Sequence, residues 1–439
     1  MIPLTYLRRV SARMLVLVAL GILLGCSASP SWGAATLDLS PVLLPMLEER
    51  ARQGDPQALR ALGVLHFRGM GTSRNDKEAL GCFLRAQEKG DPVARAFAGF
   101  IYQEGLGELR DEAKARESFE GLRGILLPLA QKGDPEAQAV LGRLFLQGLG
   151  GAKQENEGAR WLLGAAQQND PEAQALLGDL LLAGRGLPRD VKSGAQWVRR
   201  SAEQGYMEGQ AALGRLYVSG VGVPRNDGEA LRWLRRAADQ GSPSGQHALG
   251  LLYLQGRGVS RNEAEAAAWF RLAALQGYPA AQGNLGVLYY DGLGVEEDLE
   301  EASRWFLLAA EQGDPLAQSY MGILCGYGQG RFTQDDGEMV RWLRLSAEQG
   351  HPRGQNGLGE AYEWGRGVPQ DDREARKWYR LAADQGDGKA LYNLGWMIEQ
   401  GRGGMKADEQ AAIRWYRLAA KGGSEEAQAR LTLLGAPVP

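Results

Sequence analysis

Eight tryptophans recur along this 439-residue chain at a nearly fixed step. Trp161, Trp197, Trp233, Trp269 and Trp305 stand 36 residues apart, and Trp342, Trp378 and Trp415 follow at 37, 36 and 37. A glycine keeps the same beat at Gly142, Gly178, Gly214, Gly250, Gly286, Gly322, Gly359 and Gly395. Self-similarity at a period of roughly 20–50 residues marks a stacked repeat array, in which no single unit can bury its apolar face alone. Such an array offers a long surface to a partner and no obvious pocket for chemistry. On this reading apolar side chains meet only across adjoining units. One elongated domain covers nearly everything after the first 40 residues.

The unit from Gly205 to Gly241 shows how each copy is built. Glu208 to Tyr217 places apolar and small residues at three- and four-residue steps, one face of a first helix, A. Gly214 in mid-helix costs about 1 kcal/mol relative to alanine, so its recurrence predicts close approach of a neighbouring helix. Gly220-Val221-Gly222-Val223-Pro224 ends helix A and turns the chain. Asn226 then caps a second helix, B, with Glu229 three residues on as the other half of a capping box. The same pair recurs as Asn75/Glu78, Asn262/Glu265, Asp298/Glu301, Asp335/Glu338 and Asp371/Glu374. Helix B carries Trp233 and the small pair Ala237-Ala238. A buried tryptophan removes roughly 150–250 Å² from water, so the Trp column is expected to be the spine of the core.

This unit, A-x-x-L-G-x-x-Y-x-x-G-x-G-V…D-x-x-E-A-x-x-W-x-x-x-A-A-x-x-G, resembles the Sel-one-like repeat (SLR), a relative of the tetratricopeptide repeat. The resemblance covers residues 54–422 as ten units. It implies an all-α, right-handed superhelical solenoid of antiparallel helix pairs that binds proteins, with many members in the bacterial envelope. Residues 41–53 resemble a lone helix B that caps one end, and residues 423–439 supply a capping helix and tail at the other. Two units depart from the pattern. The second is 43 residues from Gly99 to Gly142, contains Gly121, Gly124 and Pro128, and has Ile125 where Trp is expected, so a broken or extended helix is predicted there. In the eighth, Cys325-Gly326-Tyr327-Gly328 predicts that helix A ends early.

The first residues read as an export signal. Arg8, Arg9 and Arg13 precede an 11-residue apolar run, Met14 to Leu24, too short to span a bilayer. Leu23-Leu24-Gly25-Cys26 resembles a lipoprotein cleavage box, which implies a signal peptide over 1–25, acylation of Cys26 and a linker over 26–40. Ser27 then directs the chain to the outer membrane, facing the periplasm. The competing reading is ordinary cleavage after Ala35 and a soluble periplasmic or secreted protein. Without residues 1–25 the chain holds 47 basic against 53 acidic residues, a balance that argues against general nucleic-acid binding.

Little in the chain recommends catalysis. Each Gly-x-Gly joins helix to helix, with no preceding strand and no Gly-Lys-Ser/Thr, so it fails the phosphate-loop context. His66, His247 and His351 lie in separate units and cannot share a metal, and no catalytic, metal or cofactor residues are assigned. Cys82 and Cys325, about seven units apart, are read as small buried hydrophobes rather than a bridge.

Binding is better supported. The residue after the recurrent glycine and its neighbours one turn away form a second face of helix A. In the C-terminal half this face holds Leu251, Val287, Tyr290, Ile323, Tyr327, Trp364, Tyr392 and Trp396. In the family this face lines the inner curve, where exposed aromatics are the chemistry of interaction hot spots. For the aliphatic members, filling between adjacent A helices is an equal alternative. The expected function is a non-enzymatic scaffold for a partner protein or peptide. The alternatives are a glycan, exopolysaccharide-export or peptidoglycan-associated scaffold, or a cell-wall or β-lactam hydrolase. The anchor is directly testable: Cys26→Ser should move the protein from the membrane pellet to the soluble envelope fraction, and an unchanged distribution would exclude a lipid tether at Cys26.

Overall fold

The computed structural model describes residues 40–69, 74–105 and 109–439, so the export segment and Cys26 lie outside the described residues. Among the described residues there are 23 helices, from Ser40–Arg52 to Glu425–Leu433, and no strand. They form two compact units, one ending at Arg261 and one beginning at Asn262. Each is a stack of A/B helical hairpins, most helices being 13 residues long.

Local chemistry sets both ends of each helix. Five A helices begin Asp-Pro. Asp170, for example, accepts the Ala173 N–H at 2.8 Å, and Pro171 occupies the first helical position, where its missing N–H costs nothing. A left-handed glycine closes the A helix (Gly220, φ 73°). The second turn glycine has a separate reason: a methyl at Gly222 would stand 2.5 Å from the Val191 carbonyl oxygen of the preceding B helix. B helices then start on the expected caps, with Asn226 Oδ1 accepting the Glu229 N–H at 3.0 Å. The other half of the capping box does not form. The Asn226 N–H donates instead to the Tyr217 carbonyl at 3.0 Å, tying B back to A. The freed Glu229 carboxylate takes Arg232 (2.6 Å) and the Trp233 indole N–H (3.2 Å).

The core spine lies one residue past the predicted one. Trp161, Trp197, Trp305, Trp378 and Trp415 are only half-buried, whereas the residues after them, Leu162, Val198, Phe306, Tyr379 and Tyr416, are fully buried. Each of these covers the A-helix glycine of its own repeat. A methyl on Gly214 would lie 2.5 Å from Leu234 Cγ, and one on Gly286 would lie 2.7 Å from the Phe306 ring. The glycine is therefore the socket and the residue after Trp is the knob. The half-buried tryptophans flank this seam, whereas Trp233 and Trp342 are 7% exposed and belong to the core as expected, and Arg341 stacks at 4.2 Å on Trp342.

The same pairing corrects the second repeat. Phe119, not a residue near Ile125, covers Gly99 at 2.7 Å, and Ile125 is half exposed. The B helix, Glu112–Phe119, breaks at Glu120 and left-handed Gly121, and the extra residues form a further helix, Leu122–Gln131. Arg123 fastens that helix to the Leu144 and Leu149 carbonyls, each at 2.8 Å. The eighth A helix, Pro315–Tyr327, keeps its full length. Gly326 there is a packing glycine against Met339, and Gly328 ends the helix.

Successive repeats are joined by a ladder of side-chain amides. Gln240 donates to Gln210 at 2.7 Å, and Gln210 donates to the Ala202 carbonyl. The Gln–Gln bond, repeated as Gln204–Gln174, Gln312–Gln282, Gln349–Gln318 and Gln385–Gln355, ties the two helices of one repeat. Gln174, Gln246, Gln282, Gln318 and Gln355 repeat the bond to a carbonyl of the preceding B helix. The buried A-helix amides reach those carbonyls only when the preceding repeat is in place. Because Phe306 and not Trp305 fills the seam, Phe306→Ala should cost about 3–5 kcal/mol in urea unfolding followed by circular dichroism, and Trp305→Ala distinctly less. Equal costs would return the tryptophan to the spine.

Candidate functional site

The A-helix face beyond the glycine has opposite fates in the two units. In the first it is filled by ions. Arg68, at the end of helix Pro56–Arg68, bonds Asp170 (3.1 Å) and Glu172 (2.8 Å), 102 and 104 residues away. Arg143 also reaches Glu172 at 3.0 Å, pairs with Glu104 and lies 3.8 Å over the Phe100 ring. Arg60 Nε stands 2.7 Å from Glu136 in an ion pair, and the same guanidinium reaches Asp91 at 3.1 Å. Arg68 is 3% exposed and Glu172 7%. Contacts in this unit therefore reach well past the adjoining repeat, contrary to the nearest-neighbour expectation.

Charge balance accounts for the titration behaviour of the cluster. Burial drives the Glu136 and Asp170 carboxyls above their ordinary range, against the pull of Arg60 and Arg68. Glu172 is opposed by the same burial, but two guanidinium groups hold it below the usual glutamate value. Burial, with Glu172 and Glu208 nearby, also keeps the Tyr206 hydroxyl protonated.

In the second unit the same face opens into a groove of about 850 Å³. Tyr290, Ile323, Tyr327 and Trp364 line it, together with Gln329, Arg353, Asn356, Glu360 and Lys389. Tyr327 and Trp364 close successive A helices and are each 64% exposed. Behind them the wall is rigid: Tyr290 packs edge-on to Tyr320 at 5.3 Å, and Tyr320 stacks on Phe306 at 4.6 Å. On the floor Asn356 donates to Glu360 at 2.9 Å, and Asn393 donates to Asn356 at 3.1 Å. Burial raises the Glu360 pKa, opposed by Asn356 and Lys389.

Four of the sequence-predicted residues thus come together, and four do not. Val287 packs against the core around Phe306. Tyr392 tilts onto Tyr416 at 5.5 Å, and Trp396 carries Arg402 at 5.0 Å, both against the C-terminal core. Leu251 belongs to the first unit and lines no part of the groove. None of the three histidines lines it either. Cys82 and Cys325 are free, buried thiols whose pKa burial raises. Among the described residues no His/Cys/Asp/Glu group could hold a metal.

Comparison with known proteins decides the family. The Sel1 repeat profile matches ten segments, 56–91, 92–117, 135–170, 171–206, 208–242, 243–278, 279–314, 315–351, 352–387 and 388–424. The chain belongs to the Sel1 repeat family. Proteins built of Sel1 repeats are in general protein-interaction scaffolds rather than enzymes. A protective antigen of uropathogenic Escherichia coli strains that displays an SLR fold is similar at 32% identity and a TM-score of 0.51, over 90% of this chain and 84% of that one. A Sel1 repeat protein from Oxalobacter formigenes is 30% identical over 56% of this chain and 96% of its own, with a TM-score of 0.49. No curated protein matches the chain.

The buried cluster gives a sharp expectation. Glu172→Gln strips a charge from both Arg68 and Arg143 and should cost about 3–5 kcal/mol, because buried guanidinium groups lose their counter-charge. Urea unfolding would show it. A loss under about 1 kcal/mol, the scale of a surface pair, would mean that the cluster is solvated.

Proposed function

We propose that this Sel1 repeat protein is a non-enzymatic adaptor that receives a segment of a partner protein in the groove of its second unit. The observation that carries this reading is the exposure of Tyr327 and Trp364, each 64%, at one open groove whose rear wall is packed aromatic rings. Large aromatics held on a rigid wall release much water on contact and lose little side-chain freedom. In the first unit the corresponding face of the early repeats is occupied by their own ion cluster. For the setting we infer the cell envelope, periplasm-facing at the outer membrane through a lipid on Cys26. That part rests on the amino-terminal sequence alone.

The test is affinity capture from envelope extract, followed by reconstitution with the purified captured protein. Tyr327→Ala with Trp364→Ala should weaken the reconstituted complex by about tenfold or more, the scale of a hot-spot loss, without changing helical content. Trp396→Ala, outside the groove, is the comparison. A partner that binds the double variant and the unmodified protein equally would place the binding surface elsewhere.

A further inference from the structure

The two units can be compared in one register by counting from the recurrent glycine. Six residues before it, in the first turn of helix A, the first unit has Glu136, Glu172 and Glu208. At the same position the ninth and tenth repeats have Arg353 and Lys389. The sign of the position is reversed, and so is its environment. Glu136 and Glu172 meet Arg60, Arg68 and Arg143 from earlier A helices, and Glu208 accepts the Ser242 and Ser244 hydroxyls, each at 2.7 Å. Arg353 and Lys389 are not paired in this way. Neither makes an ion pair among the described residues, both are exposed, and both line the groove. The Arg353 guanidinium lies over the Tyr320 ring at 4.3 Å, which fixes its place and leaves it no carboxylate.

The carboxylates of the groove are already engaged. Asp387 accepts the Ala390 N–H at 2.9 Å as a helix cap. Glu426 accepts the Ser424 hydroxyl at 2.9 Å. Glu360 takes the amides of Asn356 and Asn393. Lys389 acts on Glu360 and Glu426 through space, with no ion pair to either. The groove therefore presents two cations outside any ion pair, Arg353 held on Tyr320 and Lys389 exposed, beside two exposed aromatic rings.

We propose that the groove takes an acidic peptide segment, with carboxylates at Arg353 and Lys389 and an apolar side chain against Tyr327 and Trp364. This rests on the reading of the groove as the partner site and adds the chemistry of the partner. Packed helices lie roughly 8–10 Å apart, and an extended chain advances about 3.3 Å per residue. Two acids about three positions apart then reach both cations, with an apolar residue between them.

The probe is a short fluorescein-labelled peptide in which two glutamates bracket a leucine, with glutamine and lysine counterparts. Binding to the purified chain is read by fluorescence anisotropy. The glutamate peptide should bind, weaken with added salt, and bind at least about tenfold more tightly than the glutamine peptide, as expected of charge-assisted contacts. Arg353→Glu with Lys389→Glu should abolish that preference and admit the lysine peptide instead, with an unchanged circular dichroism spectrum. Equal binding of the glutamate and glutamine peptides would overturn the acidic preference and leave the groove as a partner site. Failure of every peptide would overturn this proposal, while the captured-partner comparison of Tyr327 and Trp364 would still decide the broader reading. Binding of polyglucuronate or anionic vesicles without binding of the glutamate peptide would overturn it in favour of another class of partner.

Discussion

The two helices of each repeat are held together by a glycine that has no room for a methyl group. A side chain from helix B, the one after the recurrent tryptophan, occupies the space a Cβ would need, at 2.5 Å in the Gly214–Leu234 pair and 2.7 Å in the Gly286–Phe306 pair. The local penalty of glycine in a helix is about 1 kcal/mol. A fully buried phenylalanine or leucine returns about 1.5–3 kcal/mol by transfer alone. The exchange is favourable, and it fixes the depth at which B sits on A. Three further regularities accompany that depth: the second turn glycine pressed on a neighbouring backbone, the B-helix cap tied to a carbonyl of A, and the A-helix amide bonded to the preceding B helix.

Much of this architecture was legible in the sequence, because a period of 36 residues leaves few alternatives to stacked hairpins. The phase was harder. Trp305 and Phe306 are both large and apolar and recur at the same interval, so periodicity alone cannot say which faces inward. The deciding signal was present in the spacing: Gly99 to Phe119, Gly142 to Leu162 and Gly214 to Leu234 are all 20 residues. That count also places the extra segment of the second repeat after Phe119, which alignment on tryptophan alone obscured. The capping-box acids were misassigned for a related reason. Glu229 has a better partner in Arg232 than in an N–H that Tyr217 already accepts.

The candidate site was legible only in part. Tyr290, Ile323, Tyr327 and Trp364 fell on the expected face and meet in one groove. Trp396 and Tyr392 share the pattern but are drawn into the C-terminal core, where Tyr416 and Arg402 cover them. Spacing from the recurrent glycine gives no such warning, because it does not show which neighbours cover a residue on that face. The ion cluster was hidden for a different reason. Arg68 and Asp170 are far apart in the chain, and their pairing depends on how tightly successive hairpins curl.

That cluster also constrains how the chain can change length. In an ordinary repeat array, modules can be gained or lost by duplication because each touches only the next. Here Arg68 in the first repeat neutralises acids that open the fourth, and Arg143 in the third shares one of them. Deleting or inserting a hairpin between them would strand buried charge. The first four repeats are thus bound into one block rather than left as exchangeable modules.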